Sequence, residues 1–220
     1  TGCDITHPDL APNLWVNQGE IAGNGVDDDG NGYVDDIHGY NFGDDNANVV
    51  DANGHGTHCS GTIGAVGNNQ IGVVGVNWKT KIMVCKIENS NGSLTVDAII
   101  GALEYAWRNG AKVSNNSYGG YFFDQAMFDA FSAANQAGHL AVCSAANDAN
   151  DNDVFPAYPC SFLLPNIISV AATDRQDAIA DFSNYGLSSV DIGAPGVDIL
   201  STLPGGYGVY SGTSMAGPHV

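Results

Sequence analysis

The sequence predicts an α/β fold in which helices flank a mainly parallel central sheet. Two observations support this: apolar runs with strand character alternate with segments of helical periodicity, and the earlier runs are almost continuously apolar. Continuous apolar runs are typical of parallel strands that are buried on both faces. The predicted strands span residues 82–87, 112–117, 140–145, 167–172 and 190–192. Strands that alternate with helices in this way form an α/β sandwich.

Two helices are predicted between these strands. In the first, Ser93 is the expected cap and Gly110 the expected stop. The apolar residues of its buried face recur at helical spacing, namely Val96, Ile99, Ile100, Leu103 and Trp107. The second helix spans about residues 124–137 and ends at Gly138. Its inward side chains are expected to be those of Met127, Ala130, Phe131 and Ala134.

Length and charge limit the classes of function. The 220 residues, 44% of them hydrophobic, suffice for one domain, which we expect to span residues 1–220. Six Lys and Arg residues against 24 Asp and Glu residues give a formal net charge of −18. This charge argues against nucleic acid and anionic membrane surfaces as partners and favours cations. The chain has no apolar run of about 18 residues, so no membrane span is predicted.

The cysteines do not predict a metal site. Cys3, Cys59, Cys85, Cys143 and Cys160 lack the paired spacing of zinc ligands. Cys85 and Cys143 lie in apolar runs and are expected to be small buried side chains. Because the count is odd, at least one thiol must be free, and any pairing of the others stays open.

Histidine and serine residues give the first sign of a hydrolytic site. His55 and His58 begin "NGHGTHCSGTIGAV", a segment of helical character. Zinc binding is the weaker interpretation, because the zincin pattern needs histidines four apart with a glutamate between them. Ser214, between Gly212 and Ala216, is a candidate nucleophile. A serine hydroxyl needs a neighbouring base to take its proton, and His55 could supply it.

Chain order then separates the classes of serine hydrolase. Residues just past the strand ends, such as Ser117 and Asn147, are expected to contribute, because α/β sheets hold their ligands there. Histidine precedes serine in this chain, which is the reverse of α/β-hydrolases and matches the subtilisin-type triad. The motifs "NGHGTHCSGT", "SAAND" and "GTSMAGPH" resemble the histidine, oxyanion-asparagine and serine motifs of the subtilases, the subtilisin-like serine proteases. The resemblance runs from "THPDL" to the last residue.

The resemblance implies a three-layer α/β/α fold and a serine endopeptidase. His55 would be the general base, Ser214 the nucleophile and Asn147 the side-chain donor to the oxyanion, with the backbone N–H of Ser214 as second donor. It also implies polypeptide substrates, a propeptide in the precursor, calcium as a cofactor, an extracellular location and a monomeric state.

The triad aspartate is not assigned to any residue. The subtilase pattern that ends in His-Pro puts it directly before Thr1, so we expect a catalytic domain that is truncated at both ends. Asp4 lies four positions later, which moves a carboxylate by well over 5 Å at about 3.3 Å per residue. It is therefore not a substitute.

Substrate binding is assigned through the resemblance. The residues expected to bind substrate are Ser117, Tyr118, Gly119, Gly120, Ala145, Ala146 and Ala157. The "SYGG" segment would be an edge for an extended substrate, because its glycines admit a second backbone closely. The alanines would line the pocket for the side chain before the scissile bond. Asp148 at its rim would favour a basic substrate residue only modestly, because an exposed charge is screened.

The segment "DDDGNGYVDD" at residues 27–36 predicts a loop that binds a hard cation. Oxygen ligands are expected from Asp27, Asp29, Asn31 and Tyr33, and from Asp35 or Asp36 to complete the shell. An EF-hand would need Glu at the twelfth position, where this chain has His38. A subtilase-type calcium loop is therefore favoured, and a solvated acidic loop without metal is the alternative.

A second calcium site is implied by the resemblance alone. It would use Asp9, Asn69 and the carbonyl groups of Gly67, Ile71 and Val73. Its usual N-terminal ligand lies outside this chain, so weak occupancy is expected.

Two other classes of function stay open. The main alternative is a catalytically silent subtilase relative that acts as a calcium-dependent binding module. The presence of His55, Asn147 and Ser214 together argues against it, since a decayed site has no reason to keep all three. A lipase or esterase is disfavoured by the residue order.

Overall fold

The computed structural model describes all residues from Thr1 to Val220, which form two compact units. The first comprises Thr1–Ala106 and Thr202–Tyr207, and the second comprises Trp107–Ser201 and Gly208–Val220. Each unit contains helices and parallel strands, which confirms the predicted α/β class.

The first unit is built around a short parallel strand pair. Its elements are β1 (Gly39–Asn41), α1 (His55–Gly64), β2 (Val84–Lys86) and most of α2 (Val96–Arg108). In the β1–β2 ladder, Tyr40 lies opposite Cys85. The buried apolar core consists of Cys3, Leu10, Leu14, Val49, Ile82 and Val84. β2 corresponds to the strand predicted at 82–87 and is shorter than predicted.

A cluster of aromatic rings fixes the acidic loop of this unit. Tyr33 contacts Tyr40, Phe42 and Tyr105 edge to face, with ring centroids 4.8, 5.4 and 5.0 Å apart. Trp15 packs against Tyr105 in the same geometry, at 6.3 Å. Such pairs contribute about 0.5–1.5 kcal/mol each beyond the area that they bury.

The second unit contains the main sheet, which is parallel throughout. Its spatial order is β3 (Val113–Asn116), β4 (Leu140–Ser144), β5 (Ile167–Thr173) and β6 (Ile192–Pro195). The first three strands confirm the predictions at 112–117, 140–145 and 167–172. The last begins at Ile192 rather than at residue 190 and continues through Gly-Ala-Pro, a sequence of low strand propensity.

The interior of the second unit lies between this sheet and a short helix, α4 (Thr213–Ala216), which packs against β5 and β6. The core residues are Val142, Val170, Ala172, Ala180, Ala194 and Ala216. Most of these side chains are small, so the helix and the sheet approach closely.

The helix ends follow local capping chemistry. The prediction that Ser93 caps α2 is wrong: the helix begins at Val96, and the Thr95 hydroxyl accepts the Ala98 N–H at 3.2 Å. In α3 (Gln125–Gln136), the Asp124 carboxylate accepts the Met127 N–H at 2.8 Å. A cap of this kind stabilises a helix by about 1 kcal/mol.

The buried faces of both helices largely agree with the predictions. Ile99 and Leu103 of α2, and Met127, Phe131 and Ala134 of α3, are buried. The remaining predicted positions, Val96, Ile100, Trp107 and Ala130, are half-buried. Gly110 and Gly138 follow the helices with φ of 90° and 74°, the left-handed conformation that glycine adopts without strain.

A two-stranded sheet of β7 (Ile199–Leu203) and β8 (Gly206–Tyr210) was not predicted. Its residues belong partly to each unit. The turn between the strands contains Gly205, whose φ is 72°.

None of the helices is long and apolar enough to cross a bilayer.

All five cysteines are free thiols. Cys143 has no exposed surface, as predicted, whereas Cys85 is only half-buried as a whole residue. Burial raises the pKa of Cys3 and of Cys85 to about 12 and raises that of Cys143 well above its usual value. Loss of the proton from these thiols is therefore disfavoured in the folded chain.

Candidate active site

His55 is the first residue of α1 and lies in the first unit. Asp51 organises this end of the helix. Its Oδ1 accepts from the N–H groups of Asn53 and Gly54 at 3.0 and 2.9 Å. Its Oδ2 accepts from the N–H and the hydroxyl of Thr57 at 2.9 and 2.7 Å. The Asp51 carboxylate therefore fixes the turn that presents His55.

The electrostatic environment favours the neutral form of His55. Burial lowers the pKa of this imidazole, and the Asp51 carboxylate opposes that effect. A neutral imidazole can accept a proton, as a general base must. His58, one turn further along α1, has no exposed surface.

Asn147 lies in the second unit, beyond the carboxyl end of β4. Its Oδ1 accepts from the Thr213 N–H at 2.8 Å and from the Thr213 hydroxyl at 2.9 Å. A backbone N–H can only donate, so the side-chain atom that faces it must be the oxygen. The Nδ2 group of Asn147 is therefore directed away from Thr213 and is available as a donor.

Ser214 is the second residue of α4 and is half-buried. Its carbonyl oxygen accepts from the Ser117 hydroxyl at 3.0 Å. The Asn115 amide donates to that hydroxyl at 2.9 Å. Within the second unit, the structure thus brings the ends of β3 and β4 together with the start of α4.

Part of the predicted substrate edge is already paired. Gly120 donates to the Tyr158 carbonyl at 3.0 Å and accepts from the Tyr158 N–H at 2.7 Å. Gly119 also lies close to Tyr158, since a Cβ there would lie 3.1 Å from the Tyr158 carbonyl oxygen. The backbone N–H and C=O of Gly120 are therefore not open to an extended substrate.

The predicted pocket residues differ in accessibility. Ala145 and Ala157 have no exposed surface, whereas Ala146 is half-buried. Asp148 is exposed, and its Oδ2 accepts the Tyr121 hydroxyl at 2.6 Å. The carboxylate expected to meet a basic substrate residue is therefore already hydrogen-bonded.

Comparison with known proteins identifies the family. Residues 1–220 match the model of the Subtilase family. The chain belongs to this family. Thermitase from Thermoactinomyces vulgaris is 37% identical to this subtilase over 221 residues, which cover 100% of the chain and 69% of thermitase. A thermophilic serine proteinase from Bacillus sp. (strain AK1) is 38% identical over 221 residues, and the chain spans only 48% of that protein.

A solved structure gives the same result. The crystal structure of a cold adapted subtilisin-like serine proteinase matches with a TM-score of 0.78 and 31% identity, over 100% of this chain and 69% of the other. Serine endopeptidase is therefore the enzyme class of this subtilase.

The acidic loop brings three carboxylates together. Ligand oxygens of Glu20, Asp27 and Asp29 all lie within 4.8 Å of one another. Oxygen donors of this kind suit a hard cation such as Ca²⁺, so the donor set fits the predicted calcium loop. Glu20, outside the predicted segment, is the third carboxylate of the group.

Asp35 and Asp36 are not members of that group. The Asp35 carboxylate accepts from the N–H groups of residues 23, 24 and 25, at 2.7 to 3.1 Å. Asp36 has no exposed surface and accepts from Asn17, Asn31 and Tyr105. Both carboxylates accept hydrogen bonds from protein donors, and these bonds fix the loop. Their part in the calcium shell stays a prediction.

The side chains of the second implied calcium site are hydrogen-bonded to one another and to nearby backbone. Asp9 is fully buried, and the Asn69 amide donates to its Oδ1 at 2.5 Å. Its Oδ2 accepts from the Val73 N–H and the Tyr207 hydroxyl, both at 3.0 Å. The Asn69 oxygen accepts from the Ile71 N–H at 3.2 Å. These contacts bring Asp9, Asn69 and the segment at 71–73 together, and their binding of calcium stays a prediction.

Sequence reasoning missed Thr213 and Glu20. Thr213 stands next to Ser214, the predicted nucleophile, in "GTSMAG", and its hydroxyl beside that serine was the available signal. Glu20 precedes the loop by seven residues, and only its charge distinguished it. Thr213 acts through a contact with Asn147, 66 positions away in the sequence.

Proposed function

We propose that this subtilase hydrolyses peptide bonds in extended polypeptides, with Ser214 as nucleophile, His55 as general base and Asn147 as oxyanion donor. The observation that carries the proposal is the pair of hydrogen bonds from Thr213 to Asn147 Oδ1, which leaves the amide N–H₂ group to donate. The neutral state favoured for the His55 imidazole supports its role as base.

In the acylation step, His55 takes the proton of the Ser214 hydroxyl while Oγ attacks the carbonyl carbon of the substrate. The carbonyl π-electrons move to oxygen, and Asn147 Nδ2 and the Ser214 N–H donate to the resulting oxyanion. When the tetrahedral intermediate collapses, the C–N bond breaks and His55 returns the proton to the leaving amine. Water repeats the sequence to release the acid product and restore Ser214.

Labelling by a fluorophosphonate probe tests the nucleophile. The protein that contains this chain is expected to react at Ser214 and to cleave casein, and Ser214→Ala is expected to lose both properties. Ser211→Ala is the matched control, because Ser211 is exposed, lies three residues away and bonds only the Asp198 N–H through its Oγ. A folded protein that neither labels nor cleaves would favour the calcium-dependent binding module instead.

Kinetics of Asn147→Ala test the oxyanion donor. Removal of one such donor lowers kcat by about 10²–10³-fold with little change in KM, because the contact forms mainly in the transition state. An exposed asparagine outside the site, Asn91, gives the matched control Asn91→Ala, which should retain full kcat.

We also infer that the acidic loop binds calcium through Glu20, Asp27 and Asp29. Calcium at about 100 times its Kd should stabilise the folded chain by about 2.7 kcal/mol. Glu20→Gln should reduce that increment in a calcium titration of thermal unfolding, while Glu104→Gln, at an exposed position on α2, should not. An unchanged increment in Glu20→Gln would exclude Glu20 as a ligand.

An extracellular location is proposed from the same loop. Calcium sites of modest affinity fill where the free ion reaches millimolar concentration, which is the condition outside cells. Recovery of the activity from the culture medium of the native source, rather than from washed cells, is the expected result.

A further inference from the structure

Asn184 is a fully buried residue that holds the segment carrying Asn147 from both sides. Its backbone N–H donates to the Ala146 carbonyl at 2.9 Å. Its side-chain Oδ1 accepts from the N–H groups of Asp148 and Asn150 at 2.8 and 3.1 Å. Asn147 therefore lies between backbone groups that one residue fixes.

The other half of the Asn184 amide extends this network. Its Nδ2 donates to the Tyr121 hydroxyl oxygen at 3.0 Å and to Asn152 Oδ1 at 2.9 Å. The Tyr121 hydroxyl in turn donates to Asp148 at 2.6 Å. Two backbone N–H groups face Oδ1, so the orientation of the Asn184 amide is determined by its partners.

The backbone that Asn184 holds is one that a free chain rarely adopts. Ala146 and Ala149 have φ of 85° and 52°, in the left-handed region that non-glycine residues avoid. Such conformations persist only where the surroundings impose them. Here Asn184 binds the Ala146 carbonyl, and the Phe182 carbonyl accepts the Ala149 N–H at 2.9 Å.

We propose that Asn184 is a positioning residue for peptide hydrolysis: it keeps the backbone at 146–150 in the conformation that presents Asn147 Nδ2 to the oxyanion. The role rests on the proposed function, because it requires Asn147 to be the donor. Thr213 sets which way the Asn147 amide faces, whereas Asn184 sets where the backbone beneath that amide lies. Asn184 touches no substrate and acts through Asn147.

Substitution of Asn184 is expected to lower kcat by less than deletion of the donor itself does. A displacement of about 1 Å at a catalytic group can lower a rate by about 100-fold, and loss of the donor lowers it by about 10²–10³-fold. Asn184→Ala should therefore lower kcat by about 10–100-fold in the folded protein.

A double-mutant cycle in peptide hydrolysis tests the proposal. The protein that contains this chain is compared with Asn147→Ala, Asn184→Ala and the double variant. If Asn184 acts through Asn147, its substitution should change kcat by less than about twofold once Asn147 is already Ala. Independent, multiplicative losses would overturn the positioning role while leaving the proposed function intact. Unchanged kcat in Asn147→Ala would instead overturn the oxyanion assignment.

Asn166→Ala separates positioning from general destabilisation. Asn166 is also buried in the second unit, and its amide donates to the carbonyls of Phe131 and His139 at 3.2 and 3.1 Å. This variant should lower the melting temperature but keep kcat within about twofold. A loss of kcat equal to that of Asn184→Ala would refute the proposal.

Tyr121→Phe gives a second route if Asn184→Ala does not fold. The Tyr121 side chain is 44% exposed, so loss of its hydroxyl should leave the fold intact. It removes one partner of Asn184 and should lower kcat by about two- to tenfold, an effect that should vanish in the Asn147→Ala background. A persistent effect in that background would contradict the proposed network.

Discussion

Tyr105→Phe tests the structural role of the Asp36 carboxylate in the first unit. The Tyr105 hydroxyl donates to Asp36 Oδ2 at 2.5 Å, and Asp36 has no exposed surface. Asn17 and Asn31 supply the other donors at 2.8 and 2.9 Å. The substitution removes one of these donors and keeps the ring that packs in the aromatic cluster.

The magnitude follows from burial. A hydrogen bond to a charged group contributes about 1.5–3 kcal/mol, and water cannot replace it at a carboxylate without exposed surface. In a chain of this length each kcal/mol shifts the melting temperature by about 2–4 °C. Tyr105→Phe should therefore lower it by about 3–12 °C.

Tyr40→Phe is the matched control. Tyr40 belongs to the same aromatic cluster, but its hydroxyl donates at 3.0 Å to Asp45, which is exposed. Water can replace that bond, so the expected cost is below about 1 kcal/mol. Thermal unfolding by calorimetry, with calcium and with chelator, measures both variants. Equal shifts, or no shift in Tyr105→Phe, would refute the assignment of Asp36 as a structural carboxylate.

Three further outcomes are expected. Burial alone would raise the pKa of Asp51, but its hydrogen bonds outweigh burial and hold that pKa below the usual value. The contribution of the Asp51 carboxylate to the stability of the folded chain is therefore present above about pH 3.9 and is lost as the pH falls through its folded-state pKa. Asp51→Asn removes this contribution, so the free energy of unfolding should fall less steeply at acid pH. Tyr121→Phe frees the Asp148 carboxylate and should raise kcat/KM for peptides with a basic residue before the scissile bond relative to those with leucine. Phe131→Ala, at a ring with no exposed surface, should cost about 3–5 kcal/mol in urea unfolding, whereas Phe122→Ala, at a ring 90% exposed, should cost less than about 0.5 kcal/mol.

The central sheet could be predicted because its inner strands are buried on both faces. The sequences of β4 and β5 are nearly continuous apolar runs, which is the pattern expected of buried parallel strands. β1 is Gly-Tyr-Asn and contains no aliphatic residue, and β8 is Gly-Tyr-Gly-Val-Tyr. Neither strand therefore has a recognisable apolar pattern. Their pairing depends on partners that lie far away in the chain.

The site could be predicted only as far as its motifs extend. His55, Asn147 and Ser214 each lie in a recognisable segment, but the contacts that orient them do not. Thr213 and Asn147 are 66 positions apart, and Asn184 and Asp148 are 36 apart. Local sequence does not specify such pairs, because the same Asn or Thr would serve equally well as a turn or surface residue.

The free thiols can report local opening separately in each of the two units. Cys3, Cys59 and Cys85 lie in the first unit, and Cys143 and Cys160 in the second. Because alkylation requires an accessible thiolate, it must wait for the surrounding structure to open. The rate at which each cysteine is modified, read by peptide mass, then reports the opening of its own neighbourhood. A cation that stabilises only the acidic loop should slow cysteine modification in the first unit and leave the modification rates in the second unit unchanged.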